Sequence, residues 1–126
     1  MIIKGNHITI DAFHCDPQIL NNENLLEAEM MSIANRLNMT VLNRCFHKFD
    51  PYGVTGVLIL STSHMSIHTW PEKGYAALDI YTCGKMHPSL EVKNILSFLS
   101  AEYGIVYDLL RGEKEISQPV TSIIRL

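Results

Sequence analysis

Four strand-like segments follow one another between residues 40 and 82 with only a few residues between them, and this succession restricts the fold more than any other feature of the chain. A link of about four residues joins antiparallel neighbours, whereas a parallel pair needs a crossover of about a dozen residues or more. The segments are 40–49, 54–60, 65–70 and 75–82. Asp50-Pro51-Tyr52-Gly53 turns the first into the second, and Pro71-Glu72-Lys73-Gly74 closes a hairpin between the last two. Segment 54–60 is apolar on both faces through Val57, Leu58, Ile59 and Leu60, which places it centrally in its sheet as an expectation.

The flanks add helices and two more strands. From His7 to Phe13 the chain alternates, with Ile8, Ile10 and Ala12 on one side and His7, Thr9 and Asp11 on the other, the pattern of a half-buried strand. Asp16-Pro17 breaks it. Asn22 is suited to cap a helix, Glu23 to occupy its first turn, and Leu26, Met30, Ile33 and Leu37 form one apolar stripe before Asn38 ends it. Pro88-Ser89 opens a second helix, with Val92, Ile95, Leu96 and Leu99 on one face and a stop near Gly104. Residues 105–110 form the last long strand, and the tail from Gly112 reads as loop with one short strand. The order β-α-β-β-β-β-α-β predicts an α+β fold, an antiparallel-rich sheet with two helices on one face. Two helices cover one face only. The other calls for a partner layer, so a homodimer stacking sheet on sheet into an αββα sandwich is expected.

A length of 126 residues fits one domain, 1–126, with a sizeable core. Its ten Lys and Arg residues are scattered and the net charge is −3, so a nucleic-acid partner is not expected. No apolar run approaches the ~20 residues that span a bilayer, and no signal-peptide pattern is seen, so no membrane role is expected. Cys15, Cys45 and Cys83 make an odd set without a CxxC pair, which points to free thiols and a cytoplasmic protein.

The most polar stretch lies between two apolar strands. Residues 61–72 carry two histidines, three serines, two threonines and Glu72. His64 and His68 stand four apart, the spacing of two metal ligands on a helix. Met65, Ile67 and Thr69 alternate as in a strand, where four residues span ~13 Å, so one tetrahedral zinc cannot use both and no metal is expected. Cys83, at a strand end before Gly84, is either a small buried hydrophobe or, at the mouth of a polar pocket, an acid.

Thr62-Ser63-His64-Met65-Ser66-Ile67-His68-Thr69-Trp70-Pro71-Glu72, with Gly74-Tyr75-Ala76-Ala77 and Tyr81-Thr82-Cys83-Gly84, resembles the prokaryotic S-adenosylmethionine decarboxylase family. Gly5-Asn6-His7, Cys15-Asp16, Phe46-His47-Lys48-Phe49 and Pro51-Tyr52-Gly53-Val54-Thr55-Gly56 extend the likeness over residues 5–86. The resemblance implies a proenzyme that cuts itself into 1–62 and 63–126 and carries a covalent pyruvoyl group. The Ser63 hydroxyl attacks the Thr62 carbonyl, the amide becomes an ester, elimination releases the first chain, and hydrolysis of the dehydroalanine leaves the pyruvoyl group. That chemistry needs a strained, well-oriented carbonyl with an oxyanion stabiliser and a base nearby. His68 is implied to support the elimination, and Thr55 stands where the family has serine.

In turnover the pyruvoyl carbonyl forms a Schiff base with the substrate amine and draws electrons as carbon dioxide leaves. Cys83 is implied to return a proton to the α-carbon, Phe49 to stack on adenine and Glu72 to bind the ribose hydroxyls. Active sites of the family lie at or near the dimer interface, and the product supplies aminopropyl groups for spermidine. One position departs: Thr62 stands where the family has glutamate. Some members act on L-ornithine or L-arginine instead, and Asp50 beside Phe49 is either the partner of a distal cation or a solvated turn residue. A non-processing regulatory paralogue is the third reading, and the joint presence of Ser63, His68, Glu72 and Cys83 speaks against it.

Overall fold

The computed structural model describes residues 4–112 and 117–126. Ten elements of helix and strand follow in order: β1 (Gly5–Phe13), α1 (Pro17–Leu20), α2 (Glu23–Arg36), β2 (Val41–Lys48), β3 (Val54–Leu60), β4 (Ser63–Trp70), β5 (Tyr75–Thr82), α3 (Val92–Phe98), β6 (Tyr103–Arg111) and β7 (Val120–Arg125). The strands form one sheet in the order β2-β3-β4-β5-β1-β6-β7. Every neighbouring pair is antiparallel. The meander from β2 to β5 is what its short links dictate. The short tail strand is β7, and residues 113–116 of that tail lie outside the described residues.

Helix boundaries follow local chemistry. The Asn22 side chain accepts a hydrogen bond from Leu25 N–H at 3.0 Å and caps α2. At the other end Asn38 takes a φ of 57°, the left-handed conformation that stops a helix. Asp16, read as part of a breaker, caps α1 by accepting from Gln18 N–H at 2.9 Å. The second long helix begins later than its proline. Pro88–Glu91 form a 3₁₀ turn, and α3 continues only from Val92. Gly104 does not stop it. This glycine lies within β6, where an added Cβ would come within 2.7 Å of Leu96 Cδ2, so it lets α3 approach the sheet closely.

The helices pack on one face of the sheet. Ile8, Ile10, Leu58, Met65, Ile67 and Ile80 from the strands meet Leu26, Met30, Ile33, Ile95 and Leu96 from the helices, all fully buried in one core. Strand β3 is not central as its composition suggested. It lies second from the edge, and Leu58 and Leu60 are buried while Ile59 is 49% exposed. An apolar run cannot distinguish a strand covered on both faces from one whose second apolar face is open within the chain. The Phe46 ring of edge strand β2 packs over Gly56, leaving no room there for a Cβ.

Among the described residues the second face of the sheet carries no helix, and cross-strand register arranges it in rows. One row runs Ile59, His64, Tyr81, His7, Leu109. The next runs Val57, Ser66, Asp79, Thr9, Tyr107, and the one beyond it Thr55, His68, Ala77, Asp11, Ile105. In the first two rows polar and titratable residues thus hold the middle of an open surface with Ile59, Val57, Leu109 and Tyr107 at the row ends, and Ile59, Tyr107 and Ile123 are among its exposed hydrophobic groups.

Candidate active site

Strand β4 distributes the candidate residues along its length. Ser63 begins it, opposite Leu60 of β3 and Thr82 of β5. Residues 61 and 62 form the turn before it, so the Thr62–Ser63 peptide sits at a strand end. Cys83 follows the last residue of β5, and its backbone N–H donates to the Thr62 carbonyl at 3.4 Å. A backbone donor aimed at a carbonyl oxygen favours charge developing there. Thr82, almost fully buried, underlies this corner: its hydroxyl accepts from Gly84 N–H at 2.8 Å and lies 3.3 Å from the Thr62 hydroxyl. The Cys83 side chain is exposed, not packed as a small hydrophobe. A hydroxyl, a polarised carbonyl and an accessible thiol therefore share one corner of the sheet.

Thr55 and His68 meet elsewhere. They face each other across β3 and β4, with Thr55 Oγ1 3.1 Å from His68 Nδ1. His68 is five residues along the strand from Ser63, about 16 Å at strand rise. It also points to the open face, whereas Ser63 shares the helix-side row of Leu60 and Thr82. Phe49 and Glu72 lie farther still, beyond the ends of β2 and β4. The exposed Phe49 ring packs edge-on against His47 with centroids 4.6 Å apart. Glu72, also exposed, lines a cavity of about 460 Å³ together with Asn21 and Tyr52, and Phe49 is not among its walls. Asp50 is exposed in the turn. The structure thus brings Ser63, Thr62 and Cys83 together, and separately Thr55 and His68.

One network escaped the sequence reading. Asp79 accepts from Ser66 Oγ through Oδ1, and its Oδ2 lies 2.8 Å from His7 Nε2 and 3.2 Å from His64 Nε2. Burial of this carboxyl is the strongest single influence and opposes ionisation. The hydrogen bonds from Ser66, His7 and His64 and the charge of His64 together outweigh it and hold the group below the usual carboxylate range. The Tyr81 ring packs beside both imidazoles, its centroid 4.9 Å from that of His7 and 5.9 Å from that of His64, and Arg111 caps Tyr81 at 4.9 Å. The alternation of His7, Thr9 and Asp11 was the only signal available, since the meeting depends on register among β1, β4 and β5.

Comparison with known proteins bears on the family and the fold. Residues 6–112 match the family model described as S-adenosylmethionine decarboxylase. The S-adenosylmethionine decarboxylase proenzyme of Pyrococcus abyssi is 43% identical over 95% of this chain and 87% of its own length. The proenzyme of Caldicellulosiruptor saccharolyticus is 42% identical over 92% of this chain and 93% of its own. Among solved structures, the adenosylmethionine decarboxylase of Aquifex aeolicus superposes with a TM-score of 0.79 at 32% identity, covering 90% of this chain and 97% of that one. The chain belongs to the S-adenosylmethionine decarboxylase family.

Proposed function

We propose that this protein is a self-processing, pyruvoyl-dependent decarboxylase of S-adenosylmethionine that supplies aminopropyl groups for spermidine. The observation that carries the reading is the corner at Ser63: its hydroxyl follows a carbonyl that accepts the Cys83 N–H, with the Cys83 thiol exposed beside it. These residues fit the processing chemistry. Serine supplies the nucleophile and later the cofactor carbons, and the amide of Cys83 supplies a donor to the oxygen of the bond to be cut. A pyruvoyl group held at position 63 would supply an electrophilic carbonyl for the substrate amine and an electron sink for decarboxylation. Cys83 holds the proton that returns to the α-carbon. Phe49 offers a ring face for the adenine and Glu72 an acceptor for the ribose hydroxyls.

The separation along β4 adds a condition. No histidine side chain spans about 16 Å of strand, so the Thr55–His68 pair of one chain does not serve the Ser63 of the same chain. A twofold dimer that stacks the open sheet faces with its axis across the strands would lay the Ser63 end of one sheet over the His68 end of the other. In that arrangement each active site would take Ser63 and Cys83 from one protomer, with residue 63 turned from its helix-side row toward the open face, and His68, Thr55, Phe49 and Glu72 from its partner. The exposed apolar residues of the open face support the same assembly.

The test is direct. Purified protein is run on a denaturing gel and assayed for carbon dioxide release from carboxyl-labelled S-adenosylmethionine, L-ornithine and L-arginine. Two bands matching 1–62 and 63–126, with release from S-adenosylmethionine, is the expected result. A chain that stays intact overturns processing. Release confined to ornithine or arginine overturns the substrate.

A further inference from the structure

Cleavage before Ser63 converts the middle of a strand-turn-strand unit into a chain terminus. Terminal residues fray unless something ties them down, and here the terminal residue is the one that carries the reactive group. His64 is its immediate neighbour. The backbone of β4 is paired on both sides, and the His64 side chain is held as well, through Nε2 to Asp79 Oδ2. Asp79 is itself held from two further directions, by Ser66 on β4 and by His7 on β1. His7 is stacked on Tyr81, which is braced in turn by Arg111. The cluster joins three strands of the sheet, and its centre stands on β5, a strand that processing leaves uncut.

We propose that Asp79 is a positioning residue: through His64 it clamps the new N-terminus, and with it the pyruvoyl group, in register with β5 once the Thr62–Ser63 bond is gone. The inference rests on the proposed self-processing. In the precursor the turn at 61–62 fixes the same residues covalently, so the clamp contributes little before the cut and much after it. The carboxylate is suited to the task because it accepts charge-assisted bonds at both oxygens. Asparagine retains the shape but keeps only one acceptor oxygen. The three ligand atoms of His7, His64 and Asp79 lie within 4.8 Å of one another, so a divalent cation is the competing occupant of this cluster.

The experiment compares Asp79→Asn and His64→Gln with the wild type, each also made in a Ser63→Ala background that cannot be cut. Three quantities are read: the processed fraction by electrophoresis, kcat and KM by carbon dioxide release, and amide hydrogen exchange at residues 64–66. Expected for both variants is cleavage to completion, a fall in kcat of about tenfold, the worth of one charge-assisted hydrogen bond, and little change in KM. Exchange at 64–66 should quicken in the cut proteins and not in their uncut Ser63→Ala counterparts. The double variant Asp79→Asn/His64→Gln should be no worse than either single one. Equal exchange in cut and uncut proteins, or losses that add in the double variant, overturns the clamp. Stoichiometric Zn²⁺ binding by the wild type that Asp79→Asn abolishes also overturns it, in favour of a metal site. A wild type that never cleaves is a distinct outcome, since it removes the processing reading itself along with the need for a clamp.

Discussion

The backbone N–H of Cys83 donates to the carbonyl of Thr62, so the residue proposed to return a proton in turnover also contacts the bond proposed to break in maturation. The two roles use different atoms. The amide acts on the carbonyl and survives any side-chain change, whereas proton return needs the thiol.

Cys83→Ala therefore separates the two steps. Cleavage between Thr62 and Ser63 is expected to persist, because the N–H remains in place. Decarboxylation is expected to fall by ~10²–10⁴-fold, the usual worth of a positioned general acid. Electrophoresis and carbon dioxide release on one preparation check both halves. A processed variant with wild-type turnover would remove the thiol from the mechanism.

A site shared between protomers makes complementation measurable. As precursors, a chain carrying Cys83→Ala keeps His68, and one carrying His68→Ala keeps Cys83 but lacks the residue implied to support elimination. Equal mixing by co-refolding of the two inactive chains gives heterodimers in which one of the two sites is wild type, so about a quarter of full activity is expected. Activity that stays at the level of the separate variants places Cys83 and His68 in the same chain's site.

Much of this arrangement was legible in the residues. The stripe Leu26, Met30, Ile33, Leu37 between Asn22 and Asn38 is sufficient to place α2, because both ends are set by side-chain and dihedral chemistry within a few residues. The hairpins of β2 to β5 follow from link length. The position of β3 does not, since strand order depends on which long-range pairs form, and β1 inserts between β5 and β6 from far away in sequence. The candidate residues were named from a motif continuous in sequence, and that continuity hides their separation: a strand spreads Ser63, His68 and Glu72 over a length no small substrate bridges within one chain. Asp79 illustrates the opposite case. His7, His64, Ser66 and Asp79 carry no common spacing, and only register brings them together.

Cysteine chemistry gives a check on the fold that is independent of activity. Burial pushes the Cys15 thiol up to about 11, whereas Cys45 and Cys83 are exposed. Alkylation of the native protein by iodoacetamide at pH 8 should modify Cys45 and Cys83 and spare Cys15, as peptide mass spectrometry would show. The sign for stability follows from the same shift. The folded state holds this proton more tightly than the unfolded chain, whose thiol ionises near 9.0, so the contribution is intact below pH 9 and is lost as pH rises toward 11. Denaturant midpoints over that range should fall less for Cys15→Ala than for the wild type. Labelling of all three thiols without denaturant would contradict the packing of Cys15.

Substrate choice turns on position 62. After the proposed cleavage Thr62 would end the first chain, next to the Ser63 corner, and a threonine there lacks the carboxylate that the family resemblance implies at this position and that would favour a sulfonium cation. Loss of one such pairing costs on the order of 1–3 kcal/mol, about one or two decades in affinity. That weakens binding of S-adenosylmethionine without abolishing it. Phe49 and Glu72 act in the opposite sense, since a ring face and a ribose acceptor serve an adenosyl group and neither serves ornithine or arginine. The exposed Phe49 ring is open to such stacking, and Glu72 borders a cavity of about 460 Å³. Slow decarboxylation of S-adenosylmethionine is thus expected, with kcat/KM rising by roughly ten- to a hundredfold in Thr62→Glu. Phe49→Ala and Glu72→Gln should raise KM for the same substrate while leaving cleavage intact. Steady-state kinetics on processed proteins decides it: if Thr62→Glu gains nothing and both other variants keep the wild-type KM, these residues do not bind an adenosyl substrate and the assignment of S-adenosylmethionine loses its chemical basis.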